Sequence, residues 1–402
     1  MKKLTNLFIS ISFIGFIIGI GIFAGVTPAK ETSYIENRSL APPPSLEKGK
    51  FVNGGFMEDF ESFFTDQFPL RDTWLKAYLN TQEALGKTFL LGYYVSEENW
   101  ITKEPDHSFP ADALTDGAEK VTSLHHALKE KGIELYYINT PHKVSNMQFL
   151  LPDYIERGSY DRVRHHFLTS LNKNIPKLDM VDLFNETFTH KEMKELFYKT
   201  DHHWNAQGAF HGYTWISEWL DSERDTFTLQ SDRLNKDHFQ KQCLPGKDFV
   251  GSYNRQLYLS VETKEKKCAY FPTNHSYEDF VVEANGKVVD YESVYGRAFH
   301  TNEKRVYYST LYTKDLRELK ITNPALKGQG EKALVIKDSY ANALSFLLAE
   351  QFYETTYYDP RYNKDRALID YIENHDFDLV ILMYNDPASD GAIYEFGKPI
   401  EP

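Results

Sequence analysis

The chain opens on its longest apolar run: Leu4 to Val26 carries no charged residue, and Lys2 and Lys3 stand directly before it. As a helix, a run of this length crosses the roughly 30 Å hydrocarbon core of a bilayer. Secretory signal cores are shorter, about 7–15 residues. No clean small-x-small cleavage site follows in Ala24-Gly25-Val26-Thr27-Pro28-Ala29. The run therefore reads as an uncleaved transmembrane anchor, with a cleaved signal as the alternative. The two lysines place the N-terminus inside and the body outside. Gly15, Gly19 and Gly21 form a small-residue face of the kind that packs on a partner helix.

After the anchor, residues 27–50 hold Pro28, Pro42, Pro43 and Pro44 among mixed charges and read as an extended linker. Phe56, Phe60, Phe63 and Phe64 recur near helical spacing and predict a helix over 56–68, broken by Pro69. A second helix is expected over 71–85, both packing on the main domain. From residue 115 the pattern becomes α/β. Thr115 or Asp116 can cap a helix closed by Gly132, and a strand over 133–139 ends at Pro141. A helix over 160–171, a short strand over 178–183 and an Asn205-capped helix over 206–220 follow. Residues 221–329 break the rhythm with short aromatic runs (256–261, 280–283, 305–311) between charged turns, and read as a β-rich insertion. The alternation resumes with strand 332–337, helix 340–351, strand 355–358, helix 364–374 and strand 377–384.

Short apolar strands alternating with helices indicate a mostly parallel sheet covered on both faces. The expected organisation is a transmembrane anchor (1–26), a linker (27–50), an α/β catalytic domain in two parts (51–220 and 330–402), and the β-rich insertion (221–329) between them.

Composition narrows the function. The 402 residues suggest more than one domain. The net charge of −13, from 45 basic against 58 acidic residues, excludes nucleic acid as a partner, because phosphate binding needs clustered Lys and Arg. It favours a neutral polymer over an anionic one. The 27 Tyr and 28 Phe serve cores and also suit sugar-binding surfaces. Cys243 and Cys268 have no metal-type spacing. In an extracellular body they either form one disulfide or remain two free thiols.

Open α/β sheets bind ligands at the carboxyl ends of their strands, and three polar groupings fall there. Lys337-Asp338-Ser339-Tyr340 follows the apolar strand Ala333-Leu334-Val335-Ile336. A serine at that turn is exposed where free N–H groups favour negative charge on a substrate oxygen; Asp338 or Ser339 as a plain helix cap is the alternative. Asp201-His202-His203-Trp204 supplies the base that a hydroxyl nucleophile needs. Asp201, two residues before His203, can fold back onto its ring and fix its tautomer, with Trp204 pinning the loop. A metal site on Asp201, His202 and His203 competes, but no nearby Cys or Glu-x-x-His completes a ligand set. Tyr384-Asn385-Asp386-Pro387 ends another apolar strand, and Asn385 can donate to an oxyanion or simply make a turn.

At these residues the sequence resembles the DHHW protein family, a branch of the SGNH hydrolase-like superfamily. Asp201-His202-His203-Trp204 supplies that family's name motif, and is similar to the Asp-x-His-Trp of bacterial alginate O-acetyltransferases. The likeness extends to Asn37-Arg38-Ser39-Leu40, Phe68-Pro69-Leu70-Arg71-Asp72 and Asp359-Pro360-Arg361-Tyr362. SGNH enzymes place their Asp and His last, whereas here they precede the serine. The resemblance thus implies a circularly permuted, flavodoxin-like SGNH core. It implies Ser339 as nucleophile, His203 and Asp201 as the rest of the triad, and Asn385 as oxyanion donor, with Lys143 of Thr140-Pro141-His142-Lys143 and Trp204 as substrate-binding residues beside the site. Lys337 stands where the family has glycine before Asp-Ser, and Met383 where the third motif has glycine. No glycine of the second SGNH block is evident, and Arg361 is the substitute donor.

The resemblance implies an extracytoplasmic O-acetyltransferase that modifies a cell-surface or exported polysaccharide through an acetyl-serine. It would work with a membrane-bound O-acyltransferase and use neither cofactor nor metal. A polysaccharide acetylesterase shares all this machinery, differing only in whether water or a sugar attacks second. A non-catalytic polysaccharide-binding scaffold is the rival from another class.

Overall fold

The computed structural model describes residues 2–33, 35–36, 38–45, 51, 53–386 and 392–397. Asn37, the end of the linker at 46–50 and Pro387 lie outside the described residues. The chain divides into two compact units, residues 1–91 with 254–261, and residues 92–253 with 262–402.

Among its described residues, the smaller unit holds three long helices. The first, α1 (Lys2–Val26), has a mean hydropathy of 2.5 over its most apolar stretch and is long and apolar enough to cross a membrane. The Phe-rich pattern becomes α2 (Gly55–Asp66), and α3 (Arg71–Ala84) follows the break at Pro69. Both helices fall in this unit, so the larger one begins at Gly92. The run 256–261, expected as β, is a turn in which Tyr258 and Leu259 take left-handed φ of 52° and 57°. Glu36 ties that turn to the unit, accepting hydrogen bonds from the Arg71 guanidinium at 2.8 Å and the Tyr258 hydroxyl at 3.0 Å.

The larger unit is built on one eight-stranded sheet. Its strands are β1 (Glu134–Thr140), β2 (Lys177–Asp179), β3 (Val281–Ala284), β4 (Lys287–Val289), β5 (Glu318–Thr322), β6 (Lys332–Lys337), β7 (Glu354–Tyr358) and β8 (Leu379–Asn385), in the order β4-β3-β5-β7-β6-β8-β1-β2. The block β7-β6-β8-β1-β2 is parallel. The other three join antiparallel, so the sheet is mixed rather than parallel throughout. These three strands come from the 221–329 stretch, which thereby extends the main sheet. That stretch also carries short helical turns, among them Tyr308–Leu311, where a β run had been expected.

Alternation along the strands builds a core on each face. Ala333 and Val335 of β6 join Ile381, Met383 and α7 (Ala206–Glu223) on one side. Leu334 and Ile336 join Val380, Leu382 and α4 (Ala111–Glu130) on the other. The helix α5 (Tyr160–Ser170) also packs there through Phe167.

Local chemistry explains where elements end. Gly132 takes φ +75° after α4, and the Asn205 side chain caps α7 by accepting from Gln207 N at 2.8 Å. The expected strand 178–183 stops at Asp179, whose carboxylate caps α6 (Met180–Thr187). The expected helix 340–351 is broken into a tight turn, Ser339–Ala343, and a short helix, Ser345–Leu348. Cys243 and Cys268 are direct partners on two paired strands and form a disulfide.

Strand register sets the position of the site. Lys337 pairs with Met383, Met383 with Ile138, and Asn139 with Asp179, so the carboxyl ends of four parallel strands meet at one edge.

Candidate active site

Two loops meet above that edge. One runs from Phe197 to Trp204, closed at its base by the bridge between those residues and by Tyr198 N donating to His203 O at 3.2 Å. The other leaves β6 at Asp338. They are 136 residues apart, and two reciprocal bonds knit them together: Trp204 Nε1–H donates to Tyr340 O at 3.1 Å, and the Tyr340 hydroxyl donates to His202 O. Trp204 is fully buried against α7, where a side chain at Gly212 would strike its ring at 2.8 Å.

This arrangement brings Ser339, His203 and Asp201 into one line. Ser339 Oγ lies 2.7 Å from His203 Nε2, and His203 Nδ1 lies 2.6 Å from Asp201 Oδ1. Burial alone would raise the Asp201 carboxyl, but the imidazole of His203 and the N–H of Ser252 outweigh it and hold the group far below the carboxylate range. An ionised Asp201 only accepts, so His203 carries its proton on Nδ1 and offers the Nε2 lone pair to the Ser339 hydroxyl. Asp201 and His203 are buried, whereas Ser339 is half-exposed, so the line opens to solvent at its nucleophile end.

Three supports came from outside the motifs. Ser252 N–H donates to Asp201 Oδ2 at 2.7 Å, and its hydroxyl lies 2.6 Å from His202 Nδ1. Gly251 makes that reach possible: a Cβ there would sit 2.2 Å from the Thr200 carbonyl oxygen. The Tyr308 ring lies flat on the His203 ring, with centroids 3.7 Å apart and planes within 5°. A tyrosine face so placed fixes the ring plane.

Asn385 meets the serine loop one residue early. Its backbone N–H and its side-chain amide both donate to Asp338 Oδ2, at 2.6 and 2.5 Å, while Asp338 Oδ1 accepts from Tyr340 N at 2.8 Å. Asp338 thus fixes both strand ends, and Ser339 N–H opens the turn at a position with no intrahelical acceptor. Lys337 has a structural reason to be there. Its buried ammonium donates to Asn342 Oδ1 at 2.7 Å and pairs with Asp315 at 3.2 Å and Asp359 at 3.4 Å.

The other expected substrate contacts are placed differently. Arg361 is held bidentately by Asp359, through Nε at 2.9 Å and Nη2 at 2.6 Å, which leaves its remaining N–H groups on a partly exposed side chain. The Lys143 side chain is buried, donating to the carbonyls of Lys199 at 3.0 Å and Ile101 at 3.3 Å. Burial depresses its ammonium to about 7. Neither Lys143 nor the buried Trp204 presents a surface to substrate; both act from behind the loops.

Ligand atoms of Asp201, His202 and His203 lie within 4.8 Å of one another, the metal alternative's geometry. Apart from His202 Nε2, these donor atoms are already engaged, however. Both His203 nitrogens, both Asp201 oxygens and His202 Nδ1 are engaged in the bonds above, so an ion would have to displace the Ser339–His203–Asp201 line. Burial and the neighbouring His203 push His202 well below its ordinary range, which keeps it neutral.

Residues 96–293 match the family model of the SGNH hydrolase-like domain of acetyltransferase AlgX. That span holds Asp201 and His203 and ends before Ser339. PatB1 of Bacillus cereus is 25% identical, with a TM-score of 0.67 over 76% of this chain and 99% of that one. A second PatB1 structure, with a sulfonyl adduct, is 24% identical over 76% of this chain and 97% of that one, with the same TM-score of 0.67. A DHHW family protein from Eubacterium siraeum is 16% identical, with a TM-score of 0.57 over 78% of this chain and 98% of that one. No curated protein matches the chain in sequence. The SGNH-like fold and the DHHW resemblance are thus borne out as a likeness, with the acetyltransferase-type domain match confined to residues 96–293.

Proposed function

We propose that this chain is an extracytoplasmic O-acetyltransferase acting on a cell-surface or exported polysaccharide. The observation that carries the proposal is the unbroken line from Ser339 Oγ through His203 to Asp201, at 2.7 and 2.6 Å. Such a line is the requirement for activating a hydroxyl nucleophile.

In this reading His203 Nε2 takes the Ser339 proton as Oγ attacks the acetyl carbonyl carbon. The Ser339 N–H and the second amide N–H of Asn385 hold the oxyanion. The tetrahedral intermediate collapses, the leaving group departs with the proton from His203, and acetyl-Ser339 remains. A sugar hydroxyl then gives its proton to His203 and attacks the ester carbonyl, and Ser339 Oγ recovers the proton as it leaves. Asp201 holds the ring through both steps, and the Tyr308 face fixes its plane.

The apolar α1 serves as the anchor of a single-pass protein, with residues 27–50 as its linker and the sheet unit as the catalytic body outside the cell. The disulfide suits an oxidising compartment. A membrane-bound O-acyltransferase is the partner that would supply acetyl groups.

The test offers the purified chain a labelled acetyl ester together with neutral oligosaccharides. Label on sugar hydroxyls supports transfer. Free acetate alone, at every acceptor tried, overturns transfer in favour of an esterase.

A further inference from the structure

The helix α2 buries none of its residues, yet one side of it is a ladder of phenylalanines. Phe51, Phe56, Phe60 and Phe64 follow one another with ring centroids 4.3, 6.3 and 6.1 Å apart, and Phe60 and Phe64 are exposed. At 100° per residue Phe56, Phe60 and Phe64 share one arc, while Glu58 and Glu61 fall outside it. An exposed aromatic stripe of this kind needs a cover.

The chain itself points to the cover. Gln67, which closes α2, exchanges two hydrogen bonds with the backbone of Lys30, at 2.9 and 2.8 Å. Lys30 lies four residues beyond Val26, where α1 ends. Arg38 and Ala41 bind Asp66 in the same last turn. A cavity of about 440 Å³ is lined both by Phe23 and Thr27 of the α1 end and by Phe68, Pro69 and Leu70 just after α2. The end of α2 is therefore fixed beside the point where the apolar span emerges.

We propose that α2 is an interfacial helix, lying in the headgroup layer of the outer leaflet with its phenylalanine arc toward the acyl chains. Trp74 and Tyr78 of α3, both exposed and one turn apart, are the residue types that settle at that depth. The acidic arc of α2 carries no cationic contribution, so the attraction is apolar and the fitting lipid surface is zwitterionic. This inference rests on α1 being an anchor.

The test uses the full chain reconstituted in phosphatidylcholine vesicles, with an environment-sensitive fluorophore on F60C or, separately, on E58C. Flotation of the vesicles reads the anchor. Iodide in the buffer and spin labels at shallow lipid depth read α2. The expected result is several-fold weaker iodide quenching at 60 than at 58, with strong quenching at 60 by the shallow lipid label. F64C should behave as F60C does. A chain that floats but shows equal iodide access at 58, 60 and 64 overturns the inference alone, leaving a protein partner as the cover. A chain that fails to float overturns the anchor and this inference together.

Discussion

Asp201→Asn isolates one feature of the proposed chemistry, the tautomer of His203. Asp201 uses both oxygens: Oδ1 takes the His203 Nδ1–H at 2.6 Å and the His203 backbone N–H at 3.0 Å, and Oδ2 takes the Ser252 N–H at 2.7 Å. An asparagine has one oxygen for these two sides. If its NH₂ faces His203, the ring must flip its tautomer, and Nε2 then presents N–H rather than a lone pair to Ser339. If the NH₂ faces Ser252, that N–H loses its acceptor in the interior, at a cost of about 1–3 kcal/mol. Either way the anion that stabilises the imidazolium is gone. A wrong-tautomer substitution of this kind lowers kcat by roughly 10⁴-fold in serine triads. Acetyl release from p-nitrophenyl acetate measures it, with thermal unfolding run alongside to show that the chain still folds. A folded variant that keeps more than about a tenth of wild-type kcat would refute the tautomer argument, since a tenfold loss is only ~1.4 kcal/mol of transition-state stabilisation.

Other outcomes follow from the same geometry. His202→Ala should retain most acetyl release, because His202 touches Ser252 and not Ser339; loss as complete as that of His203→Ala would reverse the base assignment. Replacing both Cys243 and Cys268 with serine should destabilise the fold by about 3 kcal/mol through the lost 25-residue closure, read by urea unfolding. Burial pushes the Asp386 carboxyl up to about 7, partly opposed by Arg164. The folded chain then binds a proton that the unfolded chain has lost, so this contribution is full below the unfolded value of 3.8 and fades as pH rises through about 7. Melting temperature should therefore fall between those pH values, and Asp386→Asn should flatten that part of the profile.

The parts legible in the sequence were those whose cause is local. The apolar run 333–336 could only be a buried strand, and β6 occupies Lys332–Lys337. The one-residue gap in Asp201-x-His203 suffices for a side chain to fold back onto a ring two positions on, and that contact forms. Where two local causes competed, the weaker-looking one won. Asp179 capped a helix instead of letting β2 continue, because a half-buried carboxylate at that turn can satisfy the Val181 N–H. The supports of the site were not legible. Ser252, Gly251 and Tyr308 lie in a stretch without periodicity, and each acts on a residue about 50 to 105 positions away in the chain, as Ser252 does on Asp201. Lys337 looked like a departure from a glycine-containing motif. Its role becomes visible only with Asp315 and Asp359, which reach it from other parts of the chain.

The most direct test of the account is the site of acetylation itself. The wild-type chain, incubated with an activated acetyl ester, rapidly quenched and digested, should yield acetyl on the peptide containing Ser339, and His203→Ala should yield none there. Acetyl on another residue, or equal acetylation of Ser339 without His203, would contradict the account.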